Sequence, residues 1–373
     1  MNFLKIIFFI CLLITSCGTK PTSQYSIIVS KSSDFLKKGD KILLNINNPN
    51  NDKIQNIQFR INDSLIGNEY IINNKFGTNE IKASFNLNNK KFTISKTINV
   101  YSLVSPKLYS YEIINEFDHD ISSYTQGLEF DDDFNLYEST GQYGFSSLIK
   151  IDYKKGEVLN KLFLDKSYFG EGLTIINDKL YQLTWKQKIG FVYNKDNFEL
   201  IRSFDYEKSI EGWGLCNDGE FIYKSDGTNK IWTLDIKNLK EISHINVVTN
   251  NKIISKINEL EWFDGKIYAN TYQFNKEVGL IINPKSGAVE GVIDFSGLKD
   301  RVKQVRDNKT KLFDAIKNFD EAKQTQAYEM LKNTYKIDKP APDTYTITSR
   351  PNSQKMIAYF LTIGSKPAYS RHL

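Results

Sequence analysis

The chain has 373 residues, 40% of them hydrophobic and 25% charged, which gives enough apolar material for two folded domains and excludes a largely disordered chain. Aromatics reach 13% and run along the whole length, which favours β-sheet over a helical bundle. A net charge of +5 with scattered lysines leaves no concentrated basic patch, and no nucleic-acid partner is expected.

The first seventeen residues have the form of an export signal. Lys5 precedes the apolar run Ile6 to Ile14, and Thr15, Ser16 and Cys17 follow. The run is too short for a permanent membrane span. Ile14-Thr15-Ser16-Cys17 resembles the bacterial lipobox, in which the cysteine is lipidated and becomes the first mature residue. That resemblance implies a protein held by lipid at the cell envelope, on the periplasmic face or cell surface, with residues 18–24 as a polar tether. An ordinary secretory signal that happens to carry a cysteine is the plainer alternative. Cys11 lies within the signal and Cys17 is used by lipidation, so only Cys216 is left in the folded part and no disulfide is expected there. A lone cysteine beside strand residues reads as a small core residue.

Residues 25–105 alternate apolar and polar positions in short runs, as in Ile42/Leu44/Ile46 and Ile81/Ala83/Phe85/Leu87, with turn signals such as Asn48-Pro49-Asn50 between them. Period two with frequent turns predicts a small, immunoglobulin-like β-sandwich acting as a spacer or docking module.

From residue 106 a longer repeat takes over. Segments beginning at Gly127, Gly172, Gly214 and Glu259 each run strand, turn and tyrosine-bearing strand; their starts differ by 45, 42 and 45 residues. That period, with about four strands per copy, marks propeller blades, each needing its neighbours to bury its faces. A fifth copy expected near residue 304 is missing. Residues 300–335 show helical spacing instead, with Leu312, Phe313, Ile316 and Phe319 on one face, and Tyr345-Thr346-Ile347 and Met356 to Ile363 read as strands. The predicted architecture is all-β: a five-bladed-type propeller over 106–298, four blades recognisable and the last atypical, preceded by the sandwich and followed by an atypical tail over 299–373.

First strands of blades line a propeller's central channel, so the residue just before each repeat start is a site candidate. These are Gln126, Glu171, Trp213 and Asn258. Either they face a shared axis as a ligand site, or they are turn residues whose identities drifted. His119, His244 and His372 lie far apart and offer no metal-ligand set, so no metal or cofactor is expected. Glu138 reads as a turn-stabilising residue beside Ser139-Thr140-Gly141, with a second pocket carboxylate as the alternative.

Several motifs carry a resemblance: Asp118-His119-Asp120, Tyr124-Thr125-Gln126-Gly127-Leu128, Tyr137-Glu138-Ser139-Thr140-Gly141 and Tyr143-Gly144. Phe169-Gly170-Glu171-Gly172-Leu173-Thr174, Leu183-Thr184-Trp185, Glu211-Gly212-Trp213-Gly214-Leu215, Ser225-Asp226-Gly227 and Asn258-Glu259-Leu260-Glu261 continue it. In this order the set resembles the plant and bacterial glutaminyl-peptide cyclotransferases over about residues 112–298. The resemblance implies a five-bladed propeller that turns N-terminal glutamine of peptides or proteins into pyroglutamate with release of ammonia. It implies Glu171 as general acid/base, and Gln126, Trp185, Trp213 and Asn258 as substrate-pocket residues. It implies Tyr124, Phe169 and Tyr272 as pocket walls; Tyr124 and Tyr272 replace the more usual phenylalanine and tryptophan. The family's last-blade Leu-Asn-Gly-Ile-Ala and Thr-Gly-Lys-x-Trp-Pro segments do not occur after Leu298, and the lysine of the second has no counterpart here. A non-catalytic envelope propeller binding peptides or glycans is therefore the alternative function. The protein is expected to act as a monomer.

Overall fold

A computed structural model describes residues 24–31, 34–117, 119–120, 123–272, 277–298 and 300. The signal region with Cys17, and the tail elements expected beyond residue 300, lie outside the described residues. Two compact units divide the chain. The first runs up to Asn74 and resumes over Thr78–Val100; the second takes Lys75–Gly77 and everything from Tyr101 onward.

The first unit holds β1 (Ser26–Ser30), β2 (Leu36–Lys37), β3 (Lys41–Asn47), β4 (Gln55–Ile61), β5 (Ser64–Ile66), β6 (Glu69–Ile71), β7 (Gly77–Leu87) and β8 (Lys90–Tyr101). They form a three-stranded sheet, β1-β3-β6, and a five-stranded sheet, β2-β8-β7-β4-β5. The alternation read from the sequence faces inward: Ile42 and Leu44 on β3 and Ile81, Ala83 and Phe85 on β7 are buried, while their neighbours meet water. Tyr25 packs edge-on against Phe85 at 5.1 Å.

In the second unit β9 (Lys107–Tyr109) precedes four four-stranded antiparallel blades. Blade one is β10 (Thr125–Phe130), β11 (Leu136–Thr140), β12 (Ser147–Asp152) and β13 (Glu157–Phe163). Blade two is β14 (Gly170–Ile176), β15 (Lys179–Thr184), β16 (Ile189–Asn194) and β17 (Leu200–Asp205). Blade three is β18 (Leu215–Asn217), β19 (Phe221–Ser225), β20 (Lys230–Asp235) and β21 (Glu241–Asn246). Blade four is β22 (Ile257–Phe263), β23 (Lys266–Thr271), β24 (Val278–Ile282) and β25 (Val289–Asp294). β9 adds to blade four as a fifth strand, parallel to β25. The described residues therefore form four blades of a β-propeller.

The repeat's opening glycine follows from how closely first strands converge. A β-carbon on Gly127 would lie 2.4 Å from the Leu173 nitrogen, and one on Gly172 only 2.5 Å from the Trp213 carbonyl oxygen. No side chain fits there. The repeated tyrosine of the second strand in blades one to three serves the core between blades. Tyr137 packs with Leu173, Leu180 and Phe191 of blade two, Tyr181 with Leu215 and Trp232 of blade three, and Tyr223 with Leu260 and Ile267 of blade four. Cys216 is buried in that last cluster as a free thiol. The segment after β9 touches both blade four and blade one. Tyr111 lies 5.2 Å from Phe295 beside blade four, and Phe117 lies 4.9 Å from Tyr153 on blade one.

Candidate active site

The candidate residues are aimed by breaks in the first strands. Register slips between Thr125 and Gly127, between Gly170 and Leu173, and between Ile257 and Leu260 place Gln126, Glu171 and Asn258 on bulges. A bulge turns one side chain out of the strand's alternation. Trp213 sits two residues before the short β18, its N–H donating to the Ser225 carbonyl at 3.2 Å.

Glu171 is the centre of the group. It is 5% exposed, and its Oε2 accepts a hydrogen bond from Gln126 Nε2 at 2.5 Å. Burial pushes its carboxyl well above the ordinary carboxylate range. The Gln126 hydrogen bond works against that rise, and the negative charge of Glu211 adds to it. Phe169, two residues earlier, packs with Trp185 at 5.5 Å, with Tyr124 at 6.0 Å and with Tyr143 at 5.4 Å. Gly141 leaves room for this ring: a β-carbon there would lie 2.3 Å from Phe169 Cε1. On the other side Trp213 meets Tyr272 edge-on at 5.7 Å.

Backbone bonds tie the segments carrying these rings to one another. Trp185 N–H donates to the Phe169 carbonyl at 3.0 Å, and Gly212 N–H to the Trp185 carbonyl at 3.1 Å. Asn258 is buried, its carbonyl accepting from Ser225 Oγ at 2.6 Å. Among the described residues its side-chain amide carries no hydrogen bond, which suits a group kept for a ligand.

The structure thus pairs Glu171 with Gln126, and brings Phe169, Trp185 and Tyr124 into one chain of ring contacts and Trp213 with Tyr272 into a second. The residue that joins the two was not among the sequence candidates. Glu211 Oε2 accepts both indole N–H groups, from Trp185 at 2.6 Å and from Trp213 at 2.8 Å. The signal was available in Glu211-Gly212-Trp213: a buried indole needs an acceptor, and a glutamate two residues away is one. Tyr143 was missed as a wall for want of any periodic position.

Glu138 takes a different part. It is buried on β11 and accepts from Thr125 Oγ1, from Ser123 Oγ at 3.4 Å and from His119 Nε2 at 3.1 Å. It anchors the segment entering blade one rather than the aromatic pocket. Among the described residues no group of three or more His, Cys, Asp and Glu side chains could hold a metal ion.

A propeller whose first strands carry a buried carboxyl with a raised pKa, close in sequence to packed aromatic side chains, defines a class of site suited to acid/base chemistry. The model of the glutamine cyclotransferase family matches residues 85–324, and the chain belongs to that family. The match runs 26 residues past Leu298, into the segment that motif reading alone had set apart. A glutaminyl-peptide cyclotransferase of Arabidopsis thaliana is 36% identical over 197 residues, which cover 52% of this chain and 60% of that relative. The chain therefore spans about 60% of the length of the curated relative it matches. The crystal structure of a glutaminyl cyclase from Myxococcus xanthus is similar at 30% identity, over 54% of this chain and 83% of that one, with a TM-score of 0.49.

Proposed function

We propose that this protein cyclises N-terminal glutamine of peptides or proteins to pyroglutamate, with Glu171 moving the proton. The observation that carries this reading is the buried Glu171 carboxyl, hydrogen-bonded to Gln126 and two residues from Phe169, whose ring packs on Trp185.

The reaction is internal to the substrate. The neutral α-amine attacks the side-chain amide carbon, forming a C–N bond and a tetrahedral intermediate. Glu171, as carboxylate, accepts the proton that the attacking nitrogen sheds. As carboxylic acid it returns that proton to the amide nitrogen, whose C–N bond then breaks to release ammonia. One group does both tasks best when its pKa lies near the working pH, and burial moves Glu171 in that direction. No enzyme nucleophile or attacking water is needed. The aromatic walls fold the glutamine back on itself and exclude water, and bringing the reacting atoms into contact supplies much of the remaining acceleration. The free amide of Asn258 and the amide of Gln126 are suited to hold the substrate's carbonyl and amine.

The test is direct: the purified protein is incubated with a Gln-initiated peptide, and ammonia and pyroglutamyl peptide are measured. Turnover is expected with N-terminal glutamine and none with the same peptide acetylated at its amine. Equal ammonia release from the acetylated peptide overturns the reading.

We further propose that Cys17 carries a lipid anchor placing the protein at the cell envelope, which the run Lys5, Ile6 to Ile14 and Thr15-Ser16-Cys17 supports. Cys17→Ser should move the protein from the membrane to the soluble fraction; unchanged membrane association counts against the anchor. The two facing sheets of the first unit support an immunoglobulin-like spacer between that anchor and the propeller.

A further inference from the structure

We propose that Glu211 is a positioning residue, a single carboxylate oxygen that clamps the indoles of Trp185 and Trp213 and so fixes the spacing of the pocket's two walls. The kinetic half of this inference rests on the cyclisation reading; the clamp itself does not.

Each indole has one N–H and no acceptor, so an indole closed into a pocket has a single polar demand to meet. Both demands fall on Glu211 Oε2, at 2.6 and 2.8 Å. Bonds to an ionised acceptor are the stronger kind. Trp185 follows β15 within blade two and touches Phe169; Trp213 precedes β18 of blade three and touches Tyr272. Glu211 therefore ties the Phe169–Trp185 pair to the Trp213–Tyr272 pair.

The loop carrying Glu211 is locked from both directions. Gly212 lies so close to Tyr206 and Thr184 that a β-carbon would fall 2.4 Å from the Tyr206 hydroxyl and 2.5 Å from the Thr184 carbonyl oxygen. That Tyr206 hydroxyl also accepts from Thr184 N–H at 2.9 Å. Below it, Glu241 Oε2 accepts from the N–H groups of Lys208 at 2.6 Å and Ser209 at 2.9 Å. Lys224, fully buried, donates to Glu241 Oε1 at 2.9 Å and lies over the Tyr206 ring. A loop this constrained delivers its carboxylate to one place. Burial raises the Glu171 carboxyl's pKa most, the Gln126 hydrogen bond opposes that rise, and the charge of Glu211 adds to it. Glu259 is a further carboxyl that interacts electrostatically with Glu171.

The experiment has an arm that needs no turnover. The chain has four tryptophans, so indole N–H resonances of the ¹⁵N-labelled protein form a short, assignable set. Glu211→Gln should move the resonances of Trp185 and Trp213 and leave that of Trp232, which donates to Asp226 at 2.8 Å. In the second arm, Glu211→Gln keeps an acceptor oxygen and should hold KM within about threefold, while Glu211→Leu should raise KM by about 10- to 100-fold, the usual scale of lost charge-assisted hydrogen bonds. In Glu211→Gln the acidic limb of kcat/KM should also move to lower pH, because a negative neighbour of Glu171 has gone. Trp185 and Trp213 resonances unmoved by Glu211→Gln overturn the clamp. Variants that lose only thermal stability, with wild-type KM and pH profile, overturn the positioning role. A wild-type protein that makes no pyroglutamate while its two indoles respond defeats the cyclisation reading and leaves the clamp standing.

Discussion

Replacing Glu171 by glutamine separates its chemistry from its packing. The new side chain has the same shape, and its oxygen can still accept from Gln126 Nε2, which sits 2.5 Å away. The fold should survive, whereas proton transfer is lost. At 5% exposure the site leaves little room for water to stand in for the carboxyl. General acid/base catalysis is typically worth about 10²- to 10⁴-fold, or about 3–5 kcal/mol of barrier at 1.36 kcal/mol per tenfold. Steady-state ammonia release should therefore show kcat lowered by at least about 10²-fold with KM within a few-fold. Stability should move the other way. Because the folded pKa of Glu171 is raised, its contribution is fully present below its unfolded value of about 4.5 and is lost as pH rises through the folded value. The uncharged variant has no such loss. Its melting temperature should equal or exceed that of wild type at pH 8, and the gap should shrink towards pH 5. Undiminished kcat in Glu171→Gln refutes the proton-transfer role, and a variant that melts far below wild type at pH 8 refutes the raised pKa.

Two other perturbations probe the frame. Lys224→Met leaves Glu241 buried without its cation and should cost about 3–5 kcal/mol in denaturant unfolding, with Lys224→Met/Glu241→Gln recovering part of it; a single variant within about 1 kcal/mol of wild type means the pair is hydrated or redundant. Gly172→Ala sets a β-carbon 2.5 Å from the Trp213 carbonyl oxygen and 2.7 Å from Gly214 Cα. It should destabilise by about 1–3 kcal/mol or more and lower kcat/KM through a shifted Trp213. Wild-type melting and kinetics would refute the close approach of the first strands at Gly172.

What the sequence revealed, and what it hid, divides along local and non-local lines. The blades were legible because each is a run of consecutive strands repeated at 45, 42 and 45 residues, and because the first strands' convergence demands glycine at 127, 172 and 214. Gln126, Glu171 and Asn258 were legible as candidates from their shared place in that repeat, although the bulges that aim them left no mark in the pattern. Glu211 was not legible as a partner of Trp185. The two are 26 residues apart in different blades, and only the turn of blade three against blade two brings carboxylate and indole together. The parallel pairing of β9 with β25 was hidden for the same reason: three exposed residues before the first blade carry no periodic signal of the strand they join.

The most direct test of Glu171 as the proton carrier is a ¹³C NMR titration of its carboxyl, assigned with Glu171→Gln and set beside the pH dependence of kcat/KM. The carboxyl should titrate well above 4.5, at the same pH as the acidic limb of the rate profile. A carboxyl that titrates in the ordinary range near 4.5, or a rate profile indifferent to it, contradicts the role assigned to this residue.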